Sequence, residues 1–153
     1  MSFWRSDPDG PYNTFYLVDS ENHAIDAYTY HQDEGSIDVE SRQRVVSIPA
    51  GADSTAVPNG MTIDSKGKLW VAMDGAGCVS QFDPETGEEL QRVDVPVRGP
   101  TDCTFGGKDL EDLYITTRLE QDRDGAHEGS LLRLRIPGVR GLSAAWHFGK
   151  AEG

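Results

Sequence analysis

VPNGMTIDSKGKLWVAMDGAGCVSQFDPETGEEL, residues 57–90, carries the reading that decides the fold. KLWVAM (68–73) is rich in aromatic and branched residues, as a strand should be. DGAGC (74–78) is a Gly-rich hairpin turn, and CVSQFD (78–83) follows it as a second strand. The alternation of CVSQFD is loose, because Val79 and Gln81 contrast little with Cys78 and Phe82. FDPETGEEL then offers Pro84 to a type I turn and Gly87 where a positive φ closes a hairpin. At the front, Asn59 between Pro58 and Gly60 reads either as a favoured turn pair or as the remnant of a site.

The same grammar recurs along the chain. TFYLVDS (14–20) is followed by AIDAYTY (24–30), and DLYITT (112–117) by SLLRLRI (130–136). YHQDEGSID places Gly35 where FDPETGEEL places Gly87, and Tyr16, Trp70 and Tyr114 mark equivalent strands. Helical periodicity is absent. The repeat runs at about 40–55 residues with about four strands per unit, the mark of β-propeller blades. The expected architecture is all-β, about three four-stranded antiparallel blades spanning roughly 1–57, 58–99 and 100–153. Propellers close with 4–8 blades, so an arc of three is expected to leave two apolar blade faces open. Such faces mark an interface, and a homodimer joining two arcs into a six-bladed ring would cover both.

The bulk chemistry narrows the function. Acidic residues outnumber basic ones 26 to 14, for a net charge of -12. A nucleic-acid binder needs a basic footprint, so that class is excluded. No apolar run approaches the ~20 residues that span a bilayer, and MSFWRSDPDG has no signal-peptide pattern. A soluble cytoplasmic protein is expected, without a membrane partner. Cys78 and Cys103 show no metal-type spacing and read as isolated thiols.

At PNGMTIDSKGKLWVAMDGAGCVSQFDPETGEELQRVDVPV and PTDCTFGGKDLEDLYITT the chain resembles the gluconolactonase/regucalcin (senescence marker protein) family. The family pattern runs P-D-G-M-x-x-D, G-x-L-W-V-A, D-P-x-T-G and F-G-G before L-Y-V-T. FYLVDSENHAIDAYTY and GVRGLSAAWHFG resemble its flanking segments. The resemblance implies the C-terminal half of a six-bladed propeller. It also implies a metal-dependent sugar-lactone hydrolase with one divalent cation (calcium, zinc or manganese) on the axis, held by a Glu, an Asn and the Asp of P-D-G-M.

Carried over residue by residue, little of that site remains. The Glu belongs to the absent half. Aligning Trp4 of MSFWRS with the family's N-G-L-D-W-S motif puts the Asn immediately before Met1. The Asp corresponds to Asn59, which becomes the candidate metal ligand and the impaired catalytic position. An amide oxygen can still ligate a hard cation, but it carries no charge and takes no proton near neutrality. Thr101 and Asp102, in GPTDCTFGG, hold the matching place in the next blade, where Pro100 corresponds to Pro58. They are expected at the same axial mouth, with Asp102 able to supply the carboxylate that Asn59 lacks.

Other signals are weaker. EQDRDGAHEGSL starts like a calcium loop but has Leu131 where an EF-hand needs its bidentate Glu, so a surface loop is expected. The four histidines are scattered, and no nucleophile elbow, P-loop or dinucleotide fingerprint occurs. Three readings follow: a lactone hydrolase that is incomplete or impaired in this chain, a non-catalytic divalent-metal or ligand binder, and a fragment of a full-length lactonase.

Overall fold

The structure is a computed structural model that describes residues 1–4, 11–49, 56–119, 127 and 129–142. All regular structure in them is β. Three antiparallel sheets succeed one another along the chain. The first has the order β1 (Ser2–Trp4), β2 (Thr14–Asp19), β3 (Ala24–His31), β4 (Ser36–Ser47). The second repeats it with β5 (Val57–Ile63), β6 (Leu69–Asp74), β7 (Cys78–Phe82) and β8 (Glu89–Asp94). The third has β9 (Pro100–Gly106), β10 (Asp112–Thr117) and β11 (Leu131–Arg135), three strands among the described residues. Tyr16, Trp70 and Tyr114 fall on β2, β6 and β10, the second strand of each sheet.

The sheets stack face to face through two cores. Tyr16, Ile25 and Val46 of the first sheet meet Met61, Leu69, Val71, Met73, Cys78 and Phe82 of the second. Trp70 and Val79, on the other face of the second sheet, meet Cys103, Leu113 and Ile115 of the third. The ring of Phe105 stands edge-on to Trp70 at 6.1 Å between centroids. This two-sided burial explains the poor alternation of Cys78–Phe82. All five residues of β7 are buried, since both faces of the strand have a neighbour sheet.

The hairpin turns follow their glycines. Gly35 and Gly87 adopt φ of +64° and +77°, a region closed to most side chains, as YHQDEGSID and FDPETGEEL require. β4 and β8, the outermost strands, carry mostly exposed polar residues that discourage pairing along a free edge.

The two outward faces of the stack are less apolar than an arc of bare blades implies. On the first sheet the Asp26 carboxylate, 1% exposed, is clamped by Arg42 and Arg44. On the third, Asp112 is clamped by Arg133 (3.1 Å) and Arg135 (3.2 Å). Each end sheet therefore carries a carboxylate roofed by two arginines from the next strand outward.

Candidate functional site

β1, β5 and β9 are the innermost strands of their sheets, and they lie side by side. The Ser2 hydroxyl donates to the Met61 carbonyl (3.3 Å), and β5 packs along β9. Each carries a deeply buried proline at its start, Pro58 second in β5 and Pro100 first in β9. An innermost strand has one free edge, so the missing N–H of proline costs no ladder bond there.

Asn59 sits within β5, not in a turn. The pairing of β5 with β6 slips between Pro58 and Met61, and the bulge leaves Asn59 exposed. Gly60 is glycine for want of space rather than for its φ. A Cβ there would lie 1.9 Å from Asp102 Oδ1 and 2.5 Å from Asp102 Cα. The structure thus sets the Asp102 carboxylate directly against the backbone beside Asn59. Asp102 Oδ1 also accepts the Cys103 N–H at 2.8 Å, which fixes the carboxylate at its strand. Thr101 is turned to its own sheet, its hydroxyl sharing a hydrogen bond with Thr116 Oγ1 at 2.8 Å.

A second carboxylate stands at the same end of the blades. Asp74, closing β6, pairs with Arg118 just beyond β10 (2.8 Å), tying the second sheet to the third. Gly99 lies under this pair: a Cβ there would be 3.3 Å from both Asp74 Oδ1 and Arg118 Cβ. The sequence reading passed over Asp74 and Arg118. They are 44 residues apart in sequence, and only the stacking of the third sheet on the second brings them together.

At the opposite end of the second blade, Asp64, the final Asp of the P-D-G-M-x-x-D pattern, is structural. Its carboxylate accepts N–H groups from Lys66 (2.9 Å), Lys68 (3.0 Å), the Trp70 indole (3.0 Å) and the Gln81 amide (2.8 Å). Four donors satisfy the buried charge and leave it no chemical freedom. Both thiols are buried, and burial pushes Cys103 up to about 12. Neither is poised as a nucleophile. Most of EQDRDGAHEGSL and the end of GVRGLSAAWHFG lie outside the described residues.

The stacked antiparallel sheets with adjacent inner strands match known proteins. Residues 5–118 match the family model described as SMP-30/Gluconolactonase/LRE-like region. The chain belongs to this family. Regucalcin of Sus scrofa is 41% identical over 133 residues, covering 84% of this chain and 43% of the relative. Among solved structures, a calcium-binding protein, regucalcin, from Agrobacterium tumefaciens strain C58 superposes with a TM-score of 0.71 at 25% identity. That match covers 88% of this chain and 44% of that one. A gluconolactonase from Xanthomonas campestris matches with a TM-score of 0.59 at 25% identity, over 89% of this chain and 36% of that one. The chain therefore spans less than half the length of the relatives it matches.

Within the family a divalent metal is the expected cofactor, so the donors at the mouth are worth counting. The Asn59 amide and the Asp102 carboxylate are both oxygen donors, which suits a hard cation. Calcium takes six to eight oxygens, however, and among the described residues no group of three His, Cys, Asp or Glu could hold a metal ion. The described residues supply the edge of a metal site, not a cage. Likewise, no helix among them is long and apolar enough to cross a membrane.

Proposed function

We propose that this chain contributes half of a sugar-lactone hydrolase site of the gluconolactonase type, impaired relative to its family by Asn59. The observation that supports the reading is the contact of Gly60 with Asp102, which sets that carboxylate against the backbone next to Asn59 where the inner strands lie side by side. A divalent cation, completed by ligands from another chain, would polarise the lactone carbonyl. Asn59 can orient a substrate oxygen through its amide but cannot accept a proton near neutral pH. Asp102 is the carboxylate at this position that can, and it would assist the water that opens the ring. The reading carries a cytoplasmic setting, in keeping with two free buried thiols.

A second copy would complete the ring. The Asp–Arg clusters on the two end faces are already paired, so closing the ring over them would leave no lone charge buried. Two experiments test the reading together. Light scattering should give the mass of two chains. Lactone hydrolysis by that species should disappear on chelation and fall on Asp102→Asn. A folded monomer that hydrolyses no lactone would overturn it.

Asn59, whose amide oxygen can ligate a hard cation but takes no proton near neutrality, favours a second reading, a non-catalytic divalent-metal binder. There, Asn59→Asp should tighten calcium, zinc or manganese in a calorimetric titration while no lactone is turned over. Absence of heat with all three ions removes this alternative.

A further inference from the structure

Away from the mouth, a cleft opens at the opposite end of the second blade, between two rigid turns. The 64–67 turn is pinned by the four N–H bonds into Asp64. The 136–141 segment makes a Pro-Gly turn: Val139 N–H returns to the Ile136 carbonyl at 3.2 Å, and Gly138 adopts φ of +76°. Three contacts lock the segment in place. Ser65 N–H donates to the Arg140 carbonyl (2.9 Å), Gly141 N–H donates to the Leu110 carbonyl (2.7 Å), and Asp64 bridges Gly141. Gly141 is so tightly seated that a Cβ there would lie 2.3 Å from Phe105 Cβ.

Two cavities of about 250 and 430 Å³ meet along this segment, and Ser65, Lys66 and Arg140 line both. Gln81 and Gln91 close the first, linked to each other at 2.9 Å and to Asp64 through Gln81. The charge balance of the cleft is unusual for a chain of net charge -12. Its two carboxylates are both engaged: Asp64 by four donors, and Glu111 by Arg135 at 3.6 Å. Of its three cations, Arg135 is taken up by Glu111 and Asp112, whereas Lys66 and Arg140 form no ion pair with any described residue, although acidic side chains outnumber basic ones nearly two to one across the chain. Elsewhere Arg42 and Arg44 of β4 are taken up by Asp26, and Arg133 of β11 by Asp112.

We propose that this cleft is an anion site for a small phosphate monoester, distinct from the axial mouth. The phosphate sits between the Lys66 ammonium and the Arg140 guanidinium, and the organic body lies in the larger cavity along Pro137–Val139. Two cations on separate, backbone-pinned turns match a dianion better than a single carboxylate. The planar fork of arginine favours phosphate oxygens. The Gln91 amide and the Ser65 hydroxyl add neutral polar contacts at the rim. The net negative charge repels anions at long range, so binding depends on the two short contacts and not on a general basic field.

The test is a calorimetric titration of the whole chain with inorganic phosphate and with glucose 6-phosphate, at constant ionic strength, with acetate as reference. Saturable binding of both phosphates, tighter for the ester and absent for acetate, is the expected result. Lys66→Gln and Arg140→Gln should each weaken it about tenfold, the scale of one charge-assisted contact. The double variant should show none. Lys108→Gln, an exposed lysine outside the cleft, should bind as the parent does. All three sites are on the surface, and unchanged thermal melts would show that the variants fold. Phosphate heats no larger than those of acetate, or heats unaltered in the double variant, would overturn the proposal.

Discussion

The middle blade and the two end blades are built from the same strand order but treat charge in opposite ways. In the middle blade both faces of β6 and β7 are sealed: Leu69, Trp70, Val71, Cys78 and Val79 are all 0% exposed. Its one deeply buried carboxylate, Asp64, is satisfied wholly by N–H donors and needs no cation. In the end blades the inward face is apolar, while the outward face holds a carboxylate under two half-exposed arginines. A sheet with neighbours on both sides spends its residues on packing. The outward faces of the first and third sheets carry paired polar groups in place of that packing.

Replacing equivalent aromatics should expose that difference most strongly. Trp70 and Tyr114 hold the same strand position, one between two blades and one on the outward face of the third. Trp70→Ala removes a fully buried indole and its bond to Asp64, and should cost about 3–5 kcal/mol in denaturant unfolding. Tyr114→Ala, at a half-buried site over Gly106, should cost about 1 kcal/mol. Equal losses would mean that the outward face of the third blade is as well packed as the seam.

That pairing of positions was readable from the sequence because strand-and-turn grammar is local. Gly35 and Gly87, the hairpins they close, and the three second-strand aromatics all follow from short-range rules. The inner strands were harder. β5 contains Pro58, Asn59 and Gly60, three residues that usually break a strand. They are accommodated because the strand is innermost, bulged and pressed against Asp102, all non-local facts. Asn59 could be nominated through the family pattern and Asp102 through the repeat, but the close approach of Asp102 to the backbone beside Asn59 could not. Asp74 and Arg118 had no local signal at all.

Next in size is Gly60→Ala. The added methyl overlaps both the side chain and the backbone of Asp102, and overpacking of this kind should cost about 1–3 kcal/mol. Asp102→Ala in the same chain should return part of that loss but not all, because the 2.5 Å clash with Asp102 Cα remains. Full rescue would show that the inner strands separate easily. Such a result would weaken the case for a shared site at the mouth.

The two thiols probe the two seams separately without altering them. Cys78 of the second blade faces the first, and Cys103 of the third blade faces the second. Burial raises both, Cys103 to about 12, so neither forms thiolate near pH 8. Neither should react with iodoacetamide in the folded chain, and both should react in urea, as mass spectrometry would read. Native labelling of one thiol alone would identify the looser seam.

The smallest effect should come from the arginine-roofed carboxylates, and its sign can be worked out for Asp112. Burial works to raise this carboxyl, but hydrogen bonds and charge from Arg133 and Arg135 outweigh it and hold it below the usual carboxylate range. A group depressed in the folded state stabilises the fold above its unfolded pKa of about 3.9, and that contribution is lost as pH falls through the folded value. In the middle blade Asp83 is also lowered, by Lys68 first and then by the Glu85 N–H. Both therefore steepen the loss of stability as pH falls through and below the usual carboxylate range. Asp112→Asn should flatten that limb, and the flattening should shrink in high salt because the arginines are largely exposed. The Asp83 share should stay in place in this variant. If the limb of Asp112→Asn superposes on that of the parent, the roof of arginines is only surface decoration. The contrast between end and middle blades would then rest on packing alone.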